Sequence, residues 1–510
     1  MALSYAQAFV TNSQVFALGH PFFSPAPLMQ HGAMLGFYLG SARPFYLDPA
    51  QLMKHGAHSL VVVVYGEKNS GKSTLLKDST AKFCALQAGL GQQAGQYPSM
   101  RVRITDRKPN QHDENNGQVL RGEFAALTDY LLADSVSLAS IGQINPYDMR
   151  MAVDETTLIE TAYITTESVL ERRLENYESA ALEIAARRML EKKHFSIDAL
   201  RTYLATPEEA DVVAHYTNTD FVGDDSRVAI VDDPRLYSKF REDSIRLAGA
   251  QASLVTGAFG GVFGGTNSLY DILSSDIVNI DWTGVSGKPG DLLETLFYKW
   301  DATALRLRLP LNADLSVSDE EGTRIKNPVH AAAFAQYVRE ARAYRKISIL
   351  ATQFSTDFDN LGESGSSIRG LGREIDSGIG VRIYGRQPNK PEIIESITRH
   401  GINRSDALAT TLLPQGCWAI KLPDRPIQFF QHDVDPSMLP VYETNRAMKQ
   451  LSERYIVDEV PHVKERIAKI SALWPSVMSQ LRVDPSSYGD VRDGFLGQIG
   501  EEVNYAGSDS

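Results

Sequence analysis

Eight residues, Gly66-Glu67-Lys68-Asn69-Ser70-Gly71-Lys72-Ser73, match G-x-x-x-x-G-K-[ST] at every fixed position. The chemistry they could do is to cradle a polyphosphate. Gly66 and Gly71 permit backbone conformations that turn successive N–H groups toward one point. A helix starting just beyond them adds partial positive charge at its N-terminus. Lys72 is long enough to reach β- and γ-phosphate oxygens, and the Ser73 hydroxyl is a hard oxygen ligand suited to Mg²⁺. The nucleotide-binding set is Gly66, Asn69, Ser70, Gly71, Lys72, Ser73 and Thr74, with ATP and Mg²⁺ as the expected cofactors.

Such a loop needs a strand to deliver it and a helix to leave it. Leu60-Val61-Val62-Val63-Val64-Tyr65 is an apolar, β-branched run of the kind that forms a strand buried on both faces. Thr74-Leu75-Leu76 opens a helix that runs to about residue 90, where Gly89, Gly91 and Gly95 supply a stop. Val102-Arg103-Ile104-Thr105-Asp106 reads as the next strand. Strand, loop, helix, strand is the parallel α/β order.

Hydrolysis asks for more than binding. It needs an acidic residue at the end of a neighbouring strand, to hold Mg²⁺ and the attacking water. Two places offer one. Asp281 ends the apolar Ile277-Val278-Asn279-Ile280, the better strand. Asp319-Glu320 follow the more polar Leu315-Ser316-Val317-Ser318 but bring paired carboxylates, one for the metal and one to polarise water. Gln353, after Thr352 at the end of another apolar strand, could orient that water or sense the γ-phosphate.

Composition bounds the rest. The 510 residues are 43% hydrophobic and 22% charged, as in a globular protein with a large core. A net charge of −12 argues against a broad nucleic-acid-binding surface, though not against a small basic channel. Two cysteines make neither a disulfide framework nor a metal spacing. The first Lys or Arg is Arg43, so no charged signal-peptide segment is expected, and no apolar run is long enough to span a bilayer. The expected location is cytoplasmic, with any membrane contact made through partner proteins.

Along the chain, residues 43–48 read as a short strand. Leu170, Leu174, Tyr177, Ala181 and Ile184 recur at helical spacing with charges between them and predict an amphipathic helix. Helical patterning continues over 199–204 and 237–254. The glycine-rich 257–265 follows no strand and reads as a tight loop. Further strands are expected at 277–281, 315–317, 347–352, 379–384, 418–422 and 427–431, with a helix over 331–344 and helical patterning from about 445 to 481. The domain expectation is an N-terminal segment and first part of the core over 1–150, an inserted helical domain over 151–255, the second part of the core over 256–440, and a helical tail over 441–510.

In this order the motifs resemble those of the conjugative-transfer and type IV secretion ATPases, a TraC-like branch of the FtsK–HerA superfamily of P-loop motors. The matching pieces span roughly residues 30–435. They are the 43–48 strand, the phosphate loop, Gly122-Glu123-Phe124-Ala125-Ala126-Leu127, Ile144-Asn145-Pro146-Tyr147-Asp148, Val262-Phe263-Gly264-Gly265-Thr266, Asp319-Glu320, Tyr337-Val338-Arg339-Glu340-Ala341-Arg342 and Ala351-Thr352-Gln353. The resemblance implies an α/β P-loop NTPase with a RecA-like, mostly parallel sheet and an inserted all-α domain. It further implies Lys72 and Ser73 on nucleotide and Mg²⁺, Asp319 as metal ligand, Glu320 as catalytic base and Gln353 as sensor. Arg342 would be offered to a neighbouring subunit's γ-phosphate, with Arg382 and Arg386 as second choices. Such an arginine ties hydrolysis to assembly, typically as a homo-hexamer. Full-length relatives carry a sizeable N-terminal docking domain, for which there is little room ahead of the loop; the expectation is a separately encoded domain or a reduced version.

The functional expectation is an oligomeric ATPase powering conjugative DNA transfer or type IV secretion, partnered by that machinery, with DNA as a further candidate partner, at the inner face of the cell membrane through those partners. Its alternatives are a DNA-translocating pump and a nucleotide-binding assembly scaffold with little hydrolysis. A small-molecule kinase fits the size and the late Thr-Gln motif less well.

Overall fold

The structure is a computed structural model. It describes residues 28–90, 100–106, 122–218, 234–307, 313–319, 328–341, 346–358 and 367–442, less a few short stretches within these spans. In chain order the elements are β1 (Ala33–Tyr38), β2 (Pro44–Leu47), β3 (Val61–Tyr65), α1 (Lys72–Leu90), β4 (Met100–Asp106), α2 (Ala125–Tyr130) and β5 (Asp134–Ser137). Then come α3 (Glu155–Leu170), α4 (Asn176–Lys192), α5 (Ile197–Ala205), α6 (Glu209–Asn218), α7 (Pro234–Thr256) and α8 (Tyr270–Leu273). The chain continues with β6 (Ile277–Asp281), α9 (Gly287–Leu307), β7 (Ala313–Ser318), α10 (Pro328–Ala341), β8 (Lys346–Thr352), α11 (Ser367–Ser377) and β9 (Val381–Tyr384). Last are α12 (Pro391–Arg399), α13 (Arg404–Thr410), β10 (Cys417–Lys421), β11 (Gln428–His432) and α14 (Leu439–Tyr442).

Two compact units form. One holds the described residues of Met1–Val136, Ser275–Thr283 and Arg308–Ser510; the other holds those of Ser137–Ser274 and Gly284–Leu307.

The first unit is built on one sheet in the order β2-β1-β11-β10-β9-β3-β8-β7-β4-β6-β5. From β9 through β3, β8, β7 and β4 to β6, neighbouring strands pair in parallel. β10, β11, β1 and β2 extend it antiparallel. The Val61–Tyr65 run takes the central place because only a strand covered on both faces can bury five apolar residues in a row, and every one is buried. Val62, Val64, Leu75, Leu76, Val317, Ile349, Ile383 and Trp418 pack into one core between sheet and helices.

β7 is more polar than a central strand normally is, and the structure supplies the reason. Asp314 is buried and takes a two-pronged ion pair from Arg101 on β4, Nε to Oδ1 at 2.6 Å and NH2 to Oδ2 at 3.1 Å. Lys346 on β8 approaches the same carboxylate from the other side at 3.9 Å and lies over the Tyr337 ring. The strand pairing places Asp314 opposite both cations.

In the second unit, the single helix expected across 170–184 is two. Glu171 adopts a left-handed conformation (φ 57°) that ends α3. α4 then restarts behind a capping box of Glu175 and Glu178. The buried Glu178 carboxylate also binds Arg172 at 2.7 Å and Arg246 at 2.6 Å. Charges therefore outweigh apolar periodicity at the break. Inside the unit, the Tyr147 hydroxyl donates to Gln251 Oε1 at 2.9 Å and Gln251 Nε2 donates to Thr166 Oγ1 at 2.8 Å. The glycine-rich stretch is a turn region, as expected, pinned where Ile144 bridges Phe263. The stretch expected to be helical over 445–481 lies outside the described residues.

Two outcomes follow from the buried charges. Asp314→Ala leaves Arg101 buried without its carboxylate and should lower unfolding stability by about 3–5 kcal/mol, read by denaturant titration. The Arg172 hydrogen bond outweighs burial and holds the Glu178 carboxyl down at about 2. Its stabilising effect is thus present above the ordinary carboxylate range and lost as pH falls toward 2. Glu178→Gln should be less stable than the wild type at pH 7, with the difference in thermal midpoint shrinking as pH is lowered.

Candidate nucleotide-binding site

The phosphate loop leaves β3 and is tied to the strand ends on either side of it. Gly66 N donates to the carbonyls of Thr352 (3.3 Å) and Gln353 (3.2 Å) at the end of β8. Glu67 N donates to the Arg386 carbonyl at 3.0 Å, just beyond β9. Ser70 N closes the turn on Glu67 O at 3.2 Å, and Leu75 N begins the helix on Gly71 O at 2.9 Å. Asn69 (φ 65°) and Gly71 (φ 95°) take the left-handed conformations that reverse the loop. At Gly66 the need is for space: a Cβ there would lie 2.4 Å from Ser70 Oγ and 3.3 Å from Lys72 Cγ.

Lys72 lies folded back over the loop, its Nζ donating to Gly66 O at 2.5 Å and Glu67 O at 3.1 Å. Ser70 Oγ is buried and, among the described residues, has no hydrogen-bond partner. Ser73 Oγ donates to Asp319 Oδ2 at 3.0 Å. A buried hydroxyl left without a partner in the loop suits a phosphate oxygen, and a hydroxyl beside a carboxylate suits a hard divalent cation. The residues present thus fit a nucleotide polyphosphate and Mg²⁺.

Helix α1 is anchored by charge. Lys77 is fully buried, donates to Tyr442 O at 3.1 Å and lies over the Phe124 ring. Asp78 accepts from Lys82 at 2.8 Å and from His432 Nε2 on β11 at 2.8 Å.

Asp319 follows the last residue of β7, two strands from β3; Asp281 ends β6, four strands away. Gln353 is half-buried and attached to the loop through its carbonyl. Thr352 Oγ1 and Phe354 N both donate to Asp357 Oδ2, which shapes the turn after β8. Thr74 lies half-buried in the first turn of α1. Glu320 and Arg342 lie outside the described residues. Arg382 is spent inside its own chain: NH2 donates to Asp376 Oδ1 at 2.9 Å and to Asp376 O at 2.6 Å. Burial alone would raise the Asp376 carboxyl, but His400 and Arg382 hold it down at about 2. Arg386 is ion-paired to Glu67.

One carboxylate was not singled out from sequence. Asp106 ends β4 and accepts from Glu123 N at 2.9 Å and Phe124 N at 2.6 Å. It follows Thr105, paired with Ser318 on β7, and is itself paired with Asp281 on β6. Burial pushes it up to about 7; the Phe124 N–H works against this and the Asp281 carboxylate adds to it. An Asp closing the strand that follows the phosphate-loop helix was the available signal.

Fold and loop together define an α/β P-loop NTPase fold. Among solved structures, VirB4 of Thermoanaerobacter pseudethanolicus shares it, with a TM-score of 0.53 at 14% identity over 81% of this chain and 98% of that one. The plasmid coupling protein TrwB, solved in complex with ADP and Mg²⁺, aligns with a TM-score of 0.47 at 13% identity over 80% of this chain and 91% of that one. No protein-family model and no curated protein matches the sequence.

The loop geometry makes a direct forecast. Lys72→Ala and Gly66→Ala should each weaken binding of a fluorescent ATP analogue by about a hundredfold or more, and Gly66→Ala, whose Cβ crowds Ser70 Oγ, should also lower the thermal midpoint of the free protein. Ser73→Ala should remove the Mg²⁺-dependent part of that affinity.

Proposed function

We propose that this chain is an ATP-hydrolysing motor that works as an oligomer, typically a homo-hexamer, to power conjugative DNA transfer or type IV secretion. The observation that carries the reading is the Ser73–Asp319 contact at 3.0 Å beside a complete phosphate loop, on a fold shared with VirB4. Lys72 exchanges the carbonyls of Gly66 and Glu67 for β- and γ-phosphate oxygens. Ser73 and Asp319 hold Mg²⁺, which neutralises charge developing on the phosphates. Glu320 is the general base for the attacking water, and Gln353 orients that water from the strand beside the loop. Arg342 comes from the neighbouring subunit and makes turnover depend on assembly.

The reading carries with it an inserted helical domain over 151–255, a tail over 441–510, partners in the transfer or secretion machinery, and DNA as possible cargo. It places the protein in the cytoplasm, reaching the membrane through those partners. Among the described residues no helix is long and apolar enough to cross a membrane. A DNA pump proper is less favoured by the net charge of −12.

Steady-state ATP turnover tests the reading, alongside native mass with and without ATP and DNA. Wild type should hydrolyse ATP as an oligomer, Lys72→Ala should lose binding and turnover, and Glu320→Gln should bind ATP but turn over about 10²–10⁴-fold more slowly. Glu320→Gln working at the wild-type rate removes the base assignment. An inert wild-type oligomer removes the motor in favour of a scaffold.

A further inference from the structure

Glu67 puts a carboxylate at the second position of a loop whose purpose is to bind anions, and the chain supplies a cation for it. Arg386 Nε donates to Glu67 Oε1, while the Arg386 carbonyl accepts from Glu67 N at 3.0 Å. Main chain and side chain of Arg386 are therefore both fastened to this one loop residue. Among the described residues the guanidinium engages only through Nε, so its terminal N–H groups are available. The pair stands at the surface, 43% and 30% exposed, and exposed ion pairs are cheap to rearrange. Lys72 rests on Glu67 as well, through that residue's carbonyl. Two cations of the site thus converge on residue 67 in this structure.

We infer that Arg386 is a ligand, in its own subunit, for the terminal phosphate of a bound nucleoside triphosphate, with Glu67 as its resting counter-ion. The inference rests on the nucleotide-binding reading of the loop and gives the site a means of telling triphosphate from diphosphate. A γ-phosphate, with three peripheral oxygens and up to two negative charges, competes with one carboxylate for the same guanidinium, whereas a diphosphate lacks that group. Without Arg386, the bare Glu67 carboxylate repels a γ-phosphate more than a β-phosphate. This differs from an arginine offered to a neighbour, since both main-chain and side-chain ties of Arg386 are to its own loop.

The test is titration of the full chain with fluorescent ATP and ADP analogues in Mg²⁺, for wild type, Arg386→Ala, Arg386→Lys, Glu67→Gln and the Glu67→Gln/Arg386→Ala pair. Arg386→Ala should lose ATP affinity by about ten- to hundredfold and ADP affinity by less than about threefold. Arg386→Lys should keep part of the preference, Glu67→Gln should keep or raise ATP affinity, and the double variant should recover part of the loss. Equal losses for ATP and ADP reduce Arg386 to a structural clasp and overturn the inference, as does no loss at all. Recovery of the ATP preference on mixing Arg386→Ala with Lys72→Ala protein also overturns it, because Arg386 would then serve a neighbour's loop. Wild type binding neither nucleotide sinks the loop reading instead, which is a separate outcome.

Discussion

The phosphate loop keeps its shape because β3 is clamped between two parallel neighbours whose ends finish level with it. Tyr65 is in register with Thr352 on β8 and with Tyr384 on β9. That register puts carbonyls of Thr352 and Gln353 on one side of Gly66, and that of Arg386 beside Glu67 on the other. Loop N–H groups that must point inward for an anion cannot also pair along a ladder, so the outer ones are satisfied by these strand ends. Gln353 and Arg386, with their side chains, follow those same ends. A slip of one residue in either pairing would move them all.

Buried charge is the second constraint, and it is spread over the sheet rather than gathered at the loop. Arg101, Asp314 and Lys346 form a cross-strand set at the amino-terminal ends of β4, β7 and β8. Lys77 and Asp78 tie α1 to Tyr442 and β11. Desolvating such groups is expensive and is offset only when each finds its partner in one geometry. These sets therefore specify how β7 sits between β4 and β8, and how α1 sits on the sheet, more than they add net stability. Position matters here because Asp319 must arrive beside Ser73.

The helical unit solves a different problem. Its helices are started by side-chain caps, Asp154 onto Thr157 N and Ser196 onto Ala199 N, and stopped by left-handed residues, Glu171 and Lys193. Its interior carries a linked set of hydroxyl and amide groups around Gln251, all of them buried. Polar groups that satisfy one another this way favour a single packing of neighbouring helices over several similar ones.

Much of this was legible in one dimension. The loop, its strand and its helix follow from glycine, lysine and valine at local spacing, and most strands of the sheet announce themselves as short apolar runs. Strand 33–38, between β2 and β11, and edge strand 134–137 did not: the first is interrupted by Gly36 in a Phe-, Gly- and Pro-rich stretch, and the second is the polar Asp134-Ser135-Val136-Ser137. The Asp319 strand looked too polar for its place, since Asp314 is tolerable only with Arg101 and Lys346 opposite it, 213 residues before in one case. The break at Glu171 was hidden behind apolar periodicity. What the sequence by itself determined is that a phosphate-loop pattern follows Tyr65, between a buried strand and a helix. Only the tertiary structure decided which acidic residue meets Ser73 and which arginine meets Glu67, because strand order and register bring together groups about 250 and 320 residues apart.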